Sequence, residues 1–214
     1  MKKTLEEHAA RFDEAAAEYD GDKRPEYEEC VALVVDHASP GPEDVVLDVG
    51  TGTGAIALTL APDAKRVLGR DISEGMLEVA REKADAEGLE NCEFSEGRFR
   101  EPNVDDEDVT VVTSNFAMHH LSDAEKREAL EVIADLEPRK FVLGDVMFFG
   151  EPDPDDPFYT PEVDDPATVG VLADALTDVG FSLTAVECVH DQVGVLVAER
   201  GPGADDRALE GTDE

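Results

Sequence analysis

The chain has no tryptophan and little aromatic content, 6% in all. It has three cysteines, Cys30, Cys92 and Cys188, widely spaced and odd in number. That count excludes a disulfide-stapled scaffold. Each lies in an apolar stretch, so the expectation is buried free thiols in a reducing compartment. Nowhere do eighteen apolar residues run together, which leaves no candidate transmembrane helix. The opening Met-Lys-Lys-Thr-Leu-Glu-Glu-His has two lysines but no apolar core, so no secretory signal is expected. No His/Cys/Asp cluster has metal-ligand spacing, and no metal is expected. Basic residues are scarce: 18 Lys+Arg stand against 53 Asp+Glu, a net charge of -35. No basic stripe for a nucleic-acid backbone survives in that balance.

The acids fall between apolar periodic segments rather than in one block. A folded protein with a carboxylate-coated surface fits that spread. Such a coat repels itself at low ionic strength. At ~1 M salt the Debye length falls to ~3 Å and the repulsion is largely screened. The composition therefore points to a salt-loving cytoplasm, and reports habitat more than partner.

The 214 residues fit one α/β domain. Residues 1–200 are expected to form it, with 1–40 as an N-terminal helical segment or lid and 201–214 as a flexible acidic tail. Leu5, Ala9, Phe12, Ala16 and Tyr19 form one apolar stripe of a helix over 4–19. Pro25 opens a second helix. Strands are expected at 45–49, 66–70, 92–95, 109–114 and 140–148. Ser73 is placed to cap a helix, and Ser122-Asp-Ala-Glu125 is a capping box for another. Residues 150–166 read as a long surface loop, with Asp165-Pro166 as N-cap and first turn of a last helix. Residues 181–189 and 193–199 read as a closing hairpin. Alternating strands and helices demand a mostly parallel, doubly wound sheet with helices on both faces. The hairpin inserts an antiparallel strand into it.

One segment carries the chemistry. Asp48-Val-Gly50-Thr-Gly52-Thr-Gly54 breaks an apolar strand into a glycine turn that feeds a helix. Glycines at alternate positions let the backbone approach a ligand where a Cβ would clash. The next strand ends in Asp71, placed to accept hydrogen bonds from ribose hydroxyls. The turn also fits a dinucleotide fingerprint, Gly50-x-Gly52-x-x-Ala55, so a nicotinamide-dependent reductase stands as an alternative. So does a purely structural turn.

With these motifs the chain resembles the class I S-adenosylmethionine-dependent methyltransferases, of Rossmann-like seven-stranded fold, over residues 8–199. Phe12-Asp13, Tyr19-Asp20 and Asn115-Phe-Ala-Met-His119-His120-Leu-Ser resemble its small-molecule branch. The resemblance implies S-adenosylmethionine as cofactor and S-adenosylhomocysteine as product. The implied cofactor shell is Asp48, Gly50, Thr51, Gly52, Gly54, Asp71, Ile72, Met76, Arg98, Phe99, Asn115 and Tyr19. Gly50 and Gly52 would admit the methionine part and Asp71 the ribose. Ile72 and Phe99 would flank the adenine. Asn115 would line the methyl-transfer end. Arg98 stands where the family often has an acid for the adenine amino group, with Asp105 and Asp106 as substitutes. The Asn-Pro-Pro-Tyr motif of amide and adenine N-methyltransferases is absent, which disfavours those substrates.

His119 and His120 are the candidate catalytic residues, as general base or substrate contact; the alternative is packed, hydrogen-bonded histidines. His8, His37 and His190 read as surface residues. The expected function is methyl transfer by in-line displacement to a small cytoplasmic acceptor, with no nucleic acid or membrane partner. A non-catalytic protein binding the cofactor or its product is the second hypothesis. Neither the acceptor nor the oligomeric state is legible.

Overall fold

The computed structural model describes residues 5–21, 23–104, 108–151 and 156–201. Helices α1 (Leu5–Ala15) and α2 (Pro25–Ala38) precede the sheet. Then follow β1 (Val45–Val49), α3 (Ala55–Leu60), β2 (Arg66–Asp71), α4 (Glu74–Glu87) and β3 (Cys92–Glu96). Next come β4 (Val111–Asn115), α5 (Asp123–Asp135) and β5 (Lys140–Phe148). The chain closes with β6 (Ala167–Thr168), α6 (Val169–Asp178), β7 (Ser182–His190) and β8 (Val193–Glu199).

The sheet runs β3-β2-β1-β4-β5-β8-β7, with the two-residue β6 beside β5. Pairing is parallel from β3 to β5. β8 enters antiparallel between β5 and β7. All five residues of β1 and of β4 are buried, as a strand covered on both faces requires. Alternate side chains feed two cores. Leu47 and Val49 join Leu130, Ile133 and Leu172 on one face. Val46 joins Val34, Ile56 and Leu77 on the other. Strand order reverses between β1 and β4. Their carboxyl ends therefore diverge and open a crevice where an α/β sheet takes its ligand.

Local signals explain most element ends. The Ser73 hydroxyl accepts from the Met76 N–H, and both halves of the Ser122–Glu125 capping box are present. The last helix departs from expectation. Its N-cap is Thr168, whose side chain accepts from the Val171 N–H at 3.3 Å. Ala167 and Thr168 pair instead with Met147 and Phe148 of β5. Strand pairing thus holds the backbone extended where a helix opened by Asp165-Pro166 would begin. The N-terminal helix also stops early, at Ala15, and a 3-10 turn covers Ala16–Glu18. Cys30 is buried as expected, but Cys188 is exposed. It lies on edge strand β7, where burial alternates along the strand. The expected tail lies almost wholly outside the described residues, as do Asp105 and Asp106.

Candidate functional site

The turn after β1 needs its glycines for different reasons. Gly50, Gly52 and Gly54 all have positive φ, at 74°, 53° and 88°. A Cβ on Gly50 would sit 2.4 Å from the Ala117 Cβ, so the loops after β1 and β4 touch there. A Cβ on Gly52 would meet only the Tyr19 ring, at 3.9 Å; it would fill open cavity. Gly54 faces Leu58 and Ala80 instead and belongs to helix packing. The Gly50 and Thr51 N–H groups donate to the Arg70 carbonyl. Asp71 completes the brace. Its carboxylate accepts from the Gly52 N–H and the Ser73 N–H, each at 2.9 Å.

Behind this turn lies a cavity of about 570 Å³. Three buried polar atoms of its wall, Asp48 Oδ2, Thr51 Oγ1 and Asn115 Nδ2, lack a hydrogen bond of good geometry. Asp48 accepts from the Thr113 hydroxyl through Oδ1 at 2.8 Å, while its Oδ2 is buried without a hydrogen bond. Burial, with the Asp71 charge adding to it, pushes the Asp48 pKa up to about 6. Burial likewise raises the pKa of Asp71. Asn115 takes the Cys30 S–H on its Oδ1 at 3.2 Å, which turns its Nδ2 away, buried and unbonded. A Cβ at Gly144 would strike the Asn115 Oδ1, Val34 and Cys30, so a glycine there makes room for that contact. The cavity wall thus offers the Asp48 carboxylate, with the Thr51 hydroxyl close beside it, and an unbonded donor in Asn115. Such groups cost ~1–3 kcal/mol each unless a ligand answers them.

Of the twelve residues expected in the cofactor shell, Gly54 alone lies outside the cavity wall. Arg98 is in the wall and pairs with Glu101 at 2.7 Å. The two histidines part company. His120 lines the cavity; His119 does not. The His119 Nδ1 lies 2.5 Å from the Asp145 Oδ1, and its backbone N–H donates to Oδ2 of the same carboxylate. His8, expected at the surface, is buried and lines the cavity. It sits one helical turn before Phe12 on α1, which also lines the cavity. Tyr27 and Phe116 also line it. Asp164 gave no signal in the sequence, since 44 residues separate it from His120. The fold nonetheless brings His119, His120 and Asp164 together, one ligand-type atom from each within 4.8 Å of the others. Each histidine there already has its own carboxylate.

Comparison with known proteins agrees with this geometry. A family described as a methyltransferase domain matches residues 46–137. Uncharacterized methyltransferase YcgJ of Bacillus subtilis is 34% identical over 107 residues, covering 49% of this chain and 42% of that protein. An uncharacterized methyltransferase of Geobacillus sp. is 32% identical over 149 residues, covering 67% of this chain and 66% of that one. The chain thus spans less than two thirds of either relative. Among solved structures, the [4+2]-cyclase SpnF superposes with a TM-score of 0.77 at 16% identity, over 94% of this chain and 98% of that one. A DhpI complex with S-adenosylhomocysteine superposes at 0.71 with 21% identity, over 92% and 97%. The chain has the fold of the class I S-adenosylmethionine-dependent methyltransferases.

Proposed function

We propose that the chain is an S-adenosylmethionine-dependent methyltransferase acting on a small cytoplasmic acceptor. The observation that carries this reading is the fully buried Asp48 carboxylate, met by hydroxyl and N–H groups and no cation among the described residues, beside a glycine turn that Asp71 braces. Both carboxylates sit in the wall of one cavity, and a cationic ligand relieves the cost of burying them together. The residues fit the cofactor part by part. Asp48 would take the methionine amino group, and the open face of Gly52 would admit the chain beside it. Asp71 would accept from ribose hydroxyls with the lone pair that its backbone N–H donors leave. Ile72, Met76 and Phe99 supply apolar wall for the adenine, and Asn115 would donate from Nδ2 near the reacting end.

When bound, S-adenosylmethionine supplies a methyl group on a good sulfonium leaving group. What remains for the protein is alignment, worth up to ~7–11 kcal/mol. Tyr19, Tyr27, Phe12 and Phe116 wall the cavity with rings, which suits the sulfonium charge and keeps water away.

A second reading is that the chain binds the cofactor without transferring its methyl group. One observation favours it: SpnF, a cyclase by its description, shares the fold. Calorimetric titration with S-adenosylmethionine and S-adenosylhomocysteine in molar KCl tests the first step, and both should bind one to one. No heat with either ligand overturns the proposal. Release of S-adenosylhomocysteine across a metabolite panel separates the enzyme from the non-catalytic binder.

A further inference from the structure

The cavity wall also carries His120, which is paired with Asp164. His120 Nδ1 lies 2.7 Å from Asp164 Oδ1. The other Asp164 oxygen accepts from the Thr160 N–H at 2.7 Å. The carboxylate is therefore fixed by its own loop, whose Asp164 N–H returns to the Thr160 carbonyl. That loop is clamped to the turn carrying the histidines. The Asp165 N–H donates to the His119 carbonyl. Lys126, only 2% exposed, donates to the carbonyls of Leu121 and Asp165. Rings fix the imidazole plane as well: His119, His8 and Phe12 stand 4.1, 5.2 and 5.6 Å from His120, centre to centre.

Chemistry then sets the tautomer. Against the cost of burial, the bonds from His120 and Thr160 hold the Asp164 carboxyl below its usual range. An ionised carboxylate accepts only, so Nδ1 carries the proton. The Nε2 lone pair is bare and has no hydrogen-bond partner among the described residues. Burial also keeps the imidazole below the ordinary histidine range, despite Asp164. It is neutral and able to accept a proton. His119 is spent on Asp145 and is absent from the wall.

We propose that His120, oriented by Asp164, takes the proton from the acceptor's attacking atom, so the acceptor is a protic nucleophile with an O–H, N–H or S–H bond. This rests on the methyltransferase reading. The attacking atom's electron pair forms the bond to the methyl carbon. The carbon–sulfur pair returns to sulfur, and the acceptor's proton moves to His120 Nε2. One positive charge leaves the sulfonium and one appears on the imidazolium beside Asp164, so the cavity's charge is unchanged. Asp164 is a positioning residue; His120 is the base.

Nitrogen-15 NMR of the imidazoles, in protein saturated with S-adenosylhomocysteine, reads the tautomer without turnover. His120→Gln assigns the signal. The expected result near pH 7 is a protonated Nδ1 and a bare Nε2, with Asp164→Asn shifting the population toward protonated Nε2. A protonated Nε2 in the unaltered protein overturns the proposal whatever the kinetics show. Turnover is then read with catechol, dithiothreitol and benzylamine, and with N,N-dimethylbenzylamine as the aprotic counterpart. On any protic probe that is methylated, His120→Gln should lower kcat ~10²–10⁴-fold with cofactor affinity unchanged. Asp164→Asn should lower it less and move the acid limb of the pH profile. His119, His8 and Asp145 also surround the ring, so the control is His37→Gln, whose imidazole meets Glu187 outside the cavity wall and which should leave that limb in place. A His120→Gln enzyme within threefold of the parent overturns the proposal, as does preference for the aprotic amine. Stoichiometric Co²⁺ binding lost in Asp164→Asn would make the three residues metal ligands instead, and would also overturn it. Failure to bind S-adenosylhomocysteine by calorimetry counts against the underlying reading, not against the dyad.

Discussion

Asp48 shows what a carboxylate buried in the cavity wall costs in stability. It is 1% exposed, and its pKa rises from 3.8 to about 6. Between those values the folded chain holds a proton that the unfolded chain has released. Stability therefore falls as pH climbs through about 4 to 6, and above that range the loss is about 3 kcal/mol. Asp48→Asn should raise the Tm at pH 8 and leave it nearly unchanged near pH 4. Thermal melts at the two pH values check this; equal shifts at both would refute it. The same variant should lose the gain in S-adenosylmethionine affinity that the parent shows as pH rises through 6, because only the ionised carboxylate answers an ammonium. Gly52 supplies the steric counterpart. Gly52→Val puts branches into open cavity at a positive φ and should abolish calorimetric binding. Asp71→Ala removes charge-assisted bonds and should weaken binding by ~1.5–3 kcal/mol. Unchanged affinity in both would remove the cofactor from this turn.

At the scale of elements, α1 is tied to α4 by an acid. Asp13 accepts from the Ser73 hydroxyl at 2.6 Å and from the Gly75 N–H at 2.9 Å, so one helix caps the start of another. Just beyond α1, Asp20 accepts from the Thr53 hydroxyl and from Lys83, each at 2.7 Å. Phe12 and Tyr19, each one residue before a tie, line the cavity. We expect α1 to act as a hinged cover whose closure depends on the ties. Asp13→Ala should cost ~1 kcal/mol locally. Hydrogen exchange over residues 5–18 should quicken, and S-adenosylhomocysteine should leave roughly fivefold faster, while exchange in β1 and β4 stays as before. Equal exchange in the two proteins would contradict a hinged cover. Elements of this kind were legible where their signals are local. Val45–Val49, the glycine turn, Asp71 and the two serine caps depend on neighbours a few residues away. The start of the last helix, the burial of His8 and the arrival of Asp164 were not legible. Each is decided by a partner many residues off: strand β5 for Ala167–Thr168 and the His120 ring for His8. For Asp164 it is the His120 ring. The unequal fates of His119 and His120 follow the same logic, because Asp145 and Asp164 reach them from different segments.

Over the whole molecule, charge sets the conditions under which these parts stay together. The balance is 53 acids against 18 bases. Many of the bases are already in ion pairs, as Arg81–Glu74, Arg127–Asp178 and Arg139–Asp44 are. Salt acts on both kinds of interaction. Screening weakens such exposed pairs, whose median worth is ~0–1 kcal/mol each. It also weakens repulsion among the acids left over, which a net charge of -35 makes the larger sum. Repulsion should therefore win, and stability should rise with salt. The Debye length falls from ~10 Å at 0.1 M to ~3 Å at 1 M, so most of the gain should come below about 1 M. Thermal melts in 0.1, 0.3, 1 and 2 M KCl measure this, with glucose at matched osmolality as the uncharged control. The Tm should climb steeply at first and then flatten, and glucose should not reproduce the early rise. A Tm that is flat or falls with KCl would mean that the ion pairs outweigh the repulsion. An equal rise in glucose would assign the effect to solute exclusion rather than charge. Cofactor binding provides a second reading of the same field. Two buried carboxylates and the surrounding negative charge attract a cationic ligand at long range, so association of S-adenosylmethionine should slow as KCl is raised even while the fold grows more stable.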